Sequence, residues 1–264
     1  MFPIFFYERN KRLRILFIGD IVGKIGRRMV KENLPELKRE YNIQYTIANG
    51  ENAAHGKGMT KAIYKELMGY GVDFITLGNH AFHKDEVFEL FEADKKIIRP
   101  LNYPSIVPGE GFKKVNINNE TLMIVNLQGR SFMESIDNPF TEIDALLKRE
   151  SADQIFVDFH CETTSEAIAM GHYLDGRVNA VVGTHTHVQT NDAVVLDNGT
   201  MYITDVGMTG YKDGILGIDK EAVISRFLDQ LPKRHVVPDK GDGILSAVVI
   251  DTVKQTIEPI LIRE

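Results

Sequence analysis

Short apolar runs rich in β-forming residues recur along the chain, and each stops at a polar residue or a glycine. The first run ends at Asp20, and later runs end at Asn49, Gly78, His160 and Gly183. Continuous apolar runs of this length are typical of strands that are buried on both faces of a sheet. Neighbouring strands bring their ends to one edge, so loops that are distant in sequence can supply a single site there.

Helical segments alternate with these runs. The predicted strands are 14–19, 45–49, 74–77, 122–127, 155–159 and 178–182, and the predicted helices are 25–40, 60–70, 85–94, 140–150 and 163–174. The last third changes character, because a hairpin is predicted over 193–204 around Asn198-Gly199 and a second antiparallel pair over 245–262. A helix over 219–231 is expected to cover the back of the molecule, followed by a loop. We therefore expect an α/β fold, a sandwich of two mixed sheets with helices outside.

The bulk properties predict one cytoplasmic domain over residues 1–264. Its 264 residues are 43% hydrophobic and no long polar linker divides them, so a large single core is expected. Residues 1–11 are expected to be an N-terminal extension that forms an extra strand or packing arm, and their apolar stretch is too short to span a membrane. Cys161 is the only cysteine, which suits a reducing compartment. The net charge of −6 argues against stable binding of long nucleic acids, and no membrane partner is expected.

Carboxylate, amide and imidazole side chains gather at the predicted strand ends. These candidates are Asp20, Glu51, Asn52, Asn79, His80, His160, His185 and His187. Two cations a few ångströms apart need a bridging carboxylate, and Glu51 is expected to bridge. His185 and His187 are two residues apart, so in an extended segment both rings would leave the backbone on the same side. The sequence thus predicts a two-metal centre, whose ligands suit manganese, iron and zinc alike.

Several of these residues also have simpler interpretations. Asp20 and Asn79, taken alone, could cap a turn or a helix. Asp158 alternates with His160 and is a candidate to orient an imidazole. Cys161 follows His160 directly, so it would point to the opposite face and is not expected to act as a nucleophile. The remaining histidines are expected to be ordinary surface or core residues; they are His55, His83, His172 and His235.

Two loops could contribute to a pocket. Lys57, between Gly56 and Gly58, is equally consistent with a helix entry and with a contact to substrate phosphate. The segment 128–139 could be a lid in which Arg130 contacts phosphate, or an ordinary surface loop. Residues 19–28 lack the G-x-x-x-x-G-K-[ST] pattern, so no nucleoside triphosphate site is expected.

The motifs together resemble the metallophosphoesterase superfamily, whose pattern runs Asp-x-His, Gly-Asp, Gly-Asn-His, a lone His and Gly-x-His-x-His. Here Val22 stands where the usual first histidine would be, and Glu51 replaces the bridging aspartate. With these two departures, the sequence resembles the bacterial YmdB-type phosphodiesterases. The segments that carry this resemblance are Gly19-Asp-Ile-Val-Gly-Lys24, Asn49-Gly-Glu-Asn-Ala-Ala54, Leu77-Gly-Asn-His80, Asp158-Phe-His160, Gly183-Thr-His-Thr-His-Val-Gln189 and Tyr202-Ile-Thr-Asp-Val-Gly-Met208.

The resemblance implies a metallophosphoesterase-like fold and a role for each motif residue. The first metal would be held by Asp20, Glu51, Asn52 and His187, and the second by Glu51, Asn79, His160 and His185. His80 would be the catalytic acid. The implied activity is hydrolysis of 2′,3′-cyclic nucleotides to 3′-nucleotides with iron or manganese. The family is associated with RNA turnover, so the resemblance is also compatible with an RNA-processing protein as a partner.

A phosphodiesterase mechanism follows from this ligand set. Two metals would lower the pKa of a bridging water and neutralise charge on the phosphoryl oxygens, while His80 protonates the departing oxygen. A phosphomonoesterase or nucleotidase on the same core, and a metal-stabilised regulatory protein that contacts RNA-processing or signalling partners, both remain open. The sequence names no substrate-binding residue, and monomer and homo-oligomer are equally compatible with it.

Overall fold

The computed structural model describes residues 13–93 and 96–264, which form two mixed sheets with helices on the outer faces. The strands in chain order are β1 Arg14–Ile18, β2 Asp20–Ile21, β3 Tyr45–Asn49, β4 Phe74–Thr76, β5 Ile97–Ile98, β6 Phe112–Ile117, β7 Glu120–Gln128, β8 Gln154–His160, β9 Ala180–Thr184, β10 Val194–Val195, β11 Met201–Ile203, β12 Met208–Tyr211, β13 Gly243–Asp251 and β14 Thr256–Arg263. The helices are α1 Gly23–Glu40, α2 Lys61–Gly69, α3 Glu86–Ala93, α4 Pro139–Arg149, α5 Thr164–Leu174 and α6 Lys220–Asp229. The predicted fold class is confirmed, whereas the expected arm in residues 1–11 lies outside the described residues.

Each sheet has a parallel centre that carries the motifs. In the first sheet β1, β3, β4 and β5 are parallel neighbours, and β13 pairs antiparallel with the other side of β1. β12 and β14 flank β13, and the short β2 pairs with β12. In the second sheet β7, β8, β9 and β11 are parallel, with β6 and β10 antiparallel at the edges. The parallel strands therefore present their carboxyl ends at one edge of the sandwich.

The period of two in each strand divides the core into three apolar layers. Phe17 of β1 faces the second sheet and contacts Phe156 of β8, with ring centroids 5.3 Å apart. Leu16, its neighbour in β1, points the other way and packs with the layer beneath α1, α2 and α3. Val157 of β8 belongs to the layer under α4 and α5. Because both faces of the central strands are buried, their sequences are continuously apolar.

Local signals set the helix and turn boundaries. The side chain of Thr60 accepts a hydrogen bond from the backbone of Ile63 at the start of α2, and Asn138 caps α4 with Pro139 at its first turn. Both predicted hairpins are present, and Gly199 adopts a φ of 98° in the first of them. Among the described helices, none combines the length and apolar character needed to cross a bilayer.

Candidate metal centre

All the predicted ligands lie at the edge of the sandwich where strands of both sheets end. Three segments come from the first sheet: Asp20 begins β2, Glu51 and Asn52 follow β3, and Asn79 with His80 follow β4. Two segments come from the second sheet: His160 ends β8, and His185 and His187 follow β9. Sandwich closure therefore brings together side chains that are up to 167 residues apart in sequence, from position 20 to position 187.

One group of ligand atoms surrounds the ring of His160. Its Nε2 atom lies 2.9 Å from Oδ1 of Asn79, 3.1 Å from Oε1 of Glu51 and 3.0 Å from Nδ1 of His185. Ligand atoms of Glu51, His160 and His185 all lie within 4.8 Å of one another. Four electron-pair donors thus converge on one point, as the predicted second metal would require.

A second group surrounds the amide of Asn52. Its Nδ2 atom lies 3.2 Å from Oε1 of Glu51, 3.3 Å from Oδ1 of Asp20 and 3.2 Å from Nε2 of His187. Turning the amide about its last bond would exchange Nδ2 for Oδ1, so that four donors would face the same point. Oε1 of Glu51 belongs to both groups, which is the position expected of a bridging carboxylate.

The electrostatics of the two groups fit cations. Burial raises the pKa of Asp20 to about 6, because the carboxylate is removed from water. Burial lowers the pKa of His160, but the charge of Glu51 and its hydrogen bond outweigh this effect and raise that pKa to about 9. Burial also opposes ionisation of Glu51, but the charge of His160 and its hydrogen bond lower the pKa of Glu51 below its usual value. The carboxylates of Asp20 and Glu51 therefore face one imidazolium, which offsets only part of their negative charge, and metal cations can supply the rest.

His80 lies beside these groups and faces an open pocket. Its backbone N–H donates to Oε2 of Glu51 at 2.9 Å, and its buried Nδ1 lies 3.3 Å from Oε1 of the same residue without a hydrogen bond. The ring stacks on His83 with centroids 4.6 Å apart. Burial lowers the pKa of His80 to about 4, so the ring is neutral at pH 7 in the free protein.

The pocket in front of these residues has a volume of about 280 Å³. Lys57 lines it together with His80, His185 and His187, so its position is consistent with a contact to substrate phosphate. Glu162 brings a negative charge to the same pocket, with Oε2 2.9 Å from Nε2 of His185. Lys57 is the only basic side chain among the lining residues described for this pocket, apart from the histidines.

A buried hydrogen-bond chain orients His160. The hydroxyl of Thr184 lies 2.9 Å from Nδ1 of His160 and donates to Oδ1 of Asp158 at 2.7 Å. The hydroxyl of Thr76 donates to the other oxygen of Asp158 at 2.5 Å. Asp158 therefore acts on the imidazole through Thr184, an intermediary that the sequence did not indicate. Chains of this kind fix the ring orientation of metal-binding histidines.

The geometry expected for the two histidines after β9 is wrong. His185 and His187 have φ values of 108° and 64°, so their segment is a turn rather than an extended strand. The turn is held by Asp205, whose Oδ2 accepts from the backbone N–H of Thr186 at 2.9 Å and from its hydroxyl at 2.8 Å. Nδ1 of His187 lies 3.1 Å from the carbonyl of Leu216, which leaves Nε2 facing the ligand group. Both rings reach the site through this turn.

Asp205 positions the turn that carries the two histidines, and the sequence did not indicate this role. It follows the apolar run of β11 in the same way that Asp20 follows β1, so the signal was present in the pattern of strand ends. Cys161 is buried and its thiol pKa is raised by that burial, in agreement with the expectation that it is not a nucleophile. Arg130 is exposed, and its backbone N–H donates to Glu166; its side chain does not line the pocket, which favours the surface-loop interpretation.

A close approach explains the glycine that precedes Asn79. A β-carbon at Gly78 would lie 2.4 Å from Oε2 of Glu51 and 2.4 Å from Cδ2 of His160. These distances are far shorter than any van der Waals contact, so no larger residue fits without moving one of the two ligands. The Gly-Asn-His motif thus contains a packing requirement as well as a predicted ligand.

A sandwich of two mixed sheets, with carboxylate, amide and imidazole side chains at one edge, defines a protein of the metallophosphoesterase class. Residues 16–263 match the YmdB-like protein family, and the chain belongs to this family. It is 51% identical over 259 residues to the 2′,3′-cyclic-nucleotide 2′-phosphodiesterase of Bacillus subtilis strain 168, covering 96% of this chain and 98% of the relative.

Two solved structures share the whole fold. A crystal structure of a hypothetical protein from Thermus thermophilus is 43% identical with a TM-score of 0.91, covering 96% of this chain and 100% of that chain. A crystal structure of a protein from Mycoplasma pneumoniae, described as a novel phosphatase, is 34% identical with a TM-score of 0.90, covering 96% of this chain and 94% of that chain. The resemblance noted in the sequence is confirmed.

Proposed function

We propose that this protein is a metal-dependent phosphodiesterase that hydrolyses 2′,3′-cyclic nucleotides to 3′-nucleotides. The observation that carries the proposal is the convergence of Glu51, His160 and His185 on one point beside an open pocket that Glu51 and His185 line. The Bacillus subtilis relative, named as a phosphodiesterase of this type, supports the choice of substrate. Cytoplasmic residence fits both this substrate class and the single buried, unpaired cysteine.

Two metal ions, iron or manganese with zinc also compatible, are the proposed cofactors. The first would be held by Asp20, Glu51, Asn52 and His187, and the second by Glu51, Asn79, His160 and His185. When bound, such ions supply positive charge for the phosphoryl oxygens and make water a better nucleophile near neutral pH. The protein contributes the rigid placement of these ligands on strand ends, which limits reorganisation during the reaction.

His80 is the proposed proton donor to the departing oxygen. It lines the pocket next to the ligand Asn79, so its distance from the ligand groups is fixed by the chain. In the free protein burial lowers the pKa of His80 to about 4. An anionic phosphate in the same pocket would raise that pKa, because an opposite charge favours the protonated ring. Proton donation is therefore coupled to substrate binding.

The direct test is hydrolysis of 2′,3′-cyclic AMP by protein reconstituted with manganese, with a chelated sample alongside. We expect metal-dependent release of 3′-AMP, identified by chromatography against both isomers. Release of 2′-AMP would contradict the assignment of the broken bond, and no turnover in a sample with verified metal content would contradict the proposed function.

A phosphomonoesterase activity is the second candidate, because the 34% identical Mycoplasma relative is described as a phosphatase. The ligand groups alone do not discriminate a diester from a monoester. Incubation with 3′-AMP separates the two, since a monoesterase would release inorganic phosphate and adenosine. We expect no release of phosphate on the time scale of diester hydrolysis.

A further inference from the structure

A second cavity adjoins the metal pocket and has the opposite chemical character. Its volume is about 440 Å³, and its wall is mainly apolar, formed by Leu216, Ile218, Val223 and Phe227 together with Ile215. Leu216 and Ile218 also line the metal pocket. The two cavities are therefore neighbours that share one wall.

The shared wall is a hydrogen-bonded turn. Ile215 and Ile218 exchange backbone hydrogen bonds of 2.8 and 3.0 Å, and between them Leu216 and Gly217 adopt φ values of 52° and 81°. The carbonyl of Leu216 also lies 3.1 Å from Nδ1 of His187. The apolar wall is thus held at a fixed place relative to a proposed metal ligand.

Helix α6 forms the far wall. It begins at an Asp219 cap, and the backbone N–H of Asp219 also donates to the carbonyl of Val236 at 2.9 Å, which ties the returning chain to the helix. Phe227 faces the cavity and yet is 77% exposed. Arg226 and Gln230 bring hydrogen-bond donors to the same cavity. The helix therefore borders the cavity that adjoins the metal pocket.

We infer that this apolar cavity, which we call the α6 groove, binds the nucleobase of a nucleoside cyclic phosphate whose phosphate occupies the metal pocket. The inference rests on the proposed function and names the part of the protein that recognises the rest of the substrate. A nucleoside cyclic phosphate has one anionic end and one flat, largely apolar end. The two cavities match these two ends. The metal pocket contains the predicted ligands and Lys57, and the cavity across the shared wall is lined by Phe227 and aliphatic side chains.

The chemistry of the groove also sets its selectivity. An aromatic ring stacks on any base, because every base has a π-face, so the groove accepts purines and pyrimidines. The Arg226 guanidinium and the Gln230 amide can donate to acceptors on a base edge. These donors should change the relative affinity for different bases without excluding any of them. Binding energy at the base lowers KM without requiring any change at the reacting phosphate.

Phe227→Ala tests the inference with two substrates. We expect KM for 2′,3′-cyclic AMP to rise by roughly 5-fold or more, the equivalent of losing one stacked base at the low end of its usual contribution. Hydrolysis of glycerol 1,2-cyclic phosphate, which has the strained ring but no base, should be unchanged. Phe227→Tyr keeps the aromatic face and should retain the original KM.

Leu228→Ala is the matched control, because Leu228 is the next residue of α6, is 82% exposed and does not line the groove. It should leave both substrates unaffected. Equal losses on both substrates, or no change on either, in Phe227→Ala would overturn the inference. So would a drop in oligomer size in both variants, measured by light scattering, because that result assigns the apolar surface to a contact between copies of this chain. If the metal-loaded wild type turns over neither substrate, the proposed function fails and the inference falls with it.

Discussion

The Nε2 atom of His160 lies 3.0 Å from the Nδ1 atom of His185, although His160 ends β8 and His185 lies in the turn after β9. Other contacts hold each ring in place: Thr184 bonds the far nitrogen of His160, and Glu162 contacts the far nitrogen of His185. Two ring nitrogens at this distance cannot both carry a proton that points at the other. At most one proton can therefore lie between the two nitrogens, and a cation held by both of them would displace it.

Metal binding should therefore release about one proton near pH 7.5. Among the predicted ligands, Glu51 raises the pKa of His160 to about 9, whereas burial lowers that of His185 to about 3 and raises that of Asp20 only to about 6, so His160 is the main source of the released proton. We expect apparent manganese affinity to rise by roughly tenfold per pH unit between pH 7 and 9 and then to level off. Calorimetry in buffers of different ionisation enthalpy measures the proton number, and a value near zero would contradict the protonated His160.

The same raised pKa predicts how the metal-free protein responds to pH. A pKa that is higher in the folded state stabilises the protein fully below the unfolded value of about 6.5, and this contribution is lost as pH rises through about 9. We expect the Tm of the chelated protein to fall between pH 7 and 9. In the metal-loaded protein the ring is neutral throughout this range, so a parallel fall there would point to another group.

Thr184→Val should weaken metal binding by roughly 10–100-fold, the usual effect of removing a partner that orients a ligating histidine. The substitution keeps the shape of the side chain but removes the hydroxyl between His160 and Asp158. Thr76→Val is the matched control, because its hydroxyl bonds the other oxygen of Asp158 and does not contact His160. Thr184→Val should lose stability on the order of 1–3 kcal/mol, because Oδ1 of Asp158 loses its hydroxyl donor. Thr76→Val should lose less, because Oδ2 of Asp158 still accepts from Nδ2 of Asn49 at 3.2 Å. Only Thr184→Val should change metal affinity. Equal metal affinities in the two variants would contradict a role for the Thr184 hydroxyl in orienting His160.

His80→Ala should keep its metal content and lose roughly 10²–10⁴-fold in kcat, the usual contribution of a general acid. Its imidazole is in the pocket but does not belong to either ligand group, which is why metal binding should persist. A diester with a nitrophenolate leaving group tests the role directly, since that oxygen needs no proton and its hydrolysis should fall far less. Equal losses on both diesters would mean that His80 does not act as the acid. His172→Ala, which replaces an exposed histidine on α5, is the neutral control.

Gly78→Ala should fold and lose most of its metal affinity, because the new methyl group displaces Glu51 or His160. Gly69→Ala lies in the last turn of α2, where a methyl group would have no other atom within 4 Å, and it should be neutral or stabilise by roughly 0.5–1 kcal/mol. Metal titration and thermal unfolding of the two variants separate a local clash from a general effect of replacing glycine. Normal manganese affinity in Gly78→Ala would show that the ligands can move aside.

The sequence predicted the central strands and the ligands because both depend on local patterns. A buried strand is continuously apolar, and the polar residue after it marks the sheet edge, as at Asp20 and His160. The edge strand β6 was missed because its residues 112–117 are only partly buried and include Lys113 and Lys114, which dilute the apolar signal. Short bridging strands such as β2 are too brief to leave a periodic pattern.

Other features depend on contacts that no single segment encodes. The turn at His185 and His187 requires positive φ values at two residues other than glycine, which become tolerable only because Asp205 holds Thr186 from a neighbouring strand end. The position of α6 is a similar case. Its sequence indicates a helix, but which face is covered depends on the turn at Leu216 and on the packing of the chain that returns at Val236.

The order of strands in the first sheet also has a consequence for protein synthesis. Asp20 lies on β2, which pairs with β12, and β12 is joined to β1 only through β13 at 243–251. A nascent chain that has left the ribosome as far as His187 contains every ligand but lacks the strand that fixes the first of them. We therefore expect the complete ligand set to assemble only after Asp251 has been synthesised, and chains that end before β13 to be inactive.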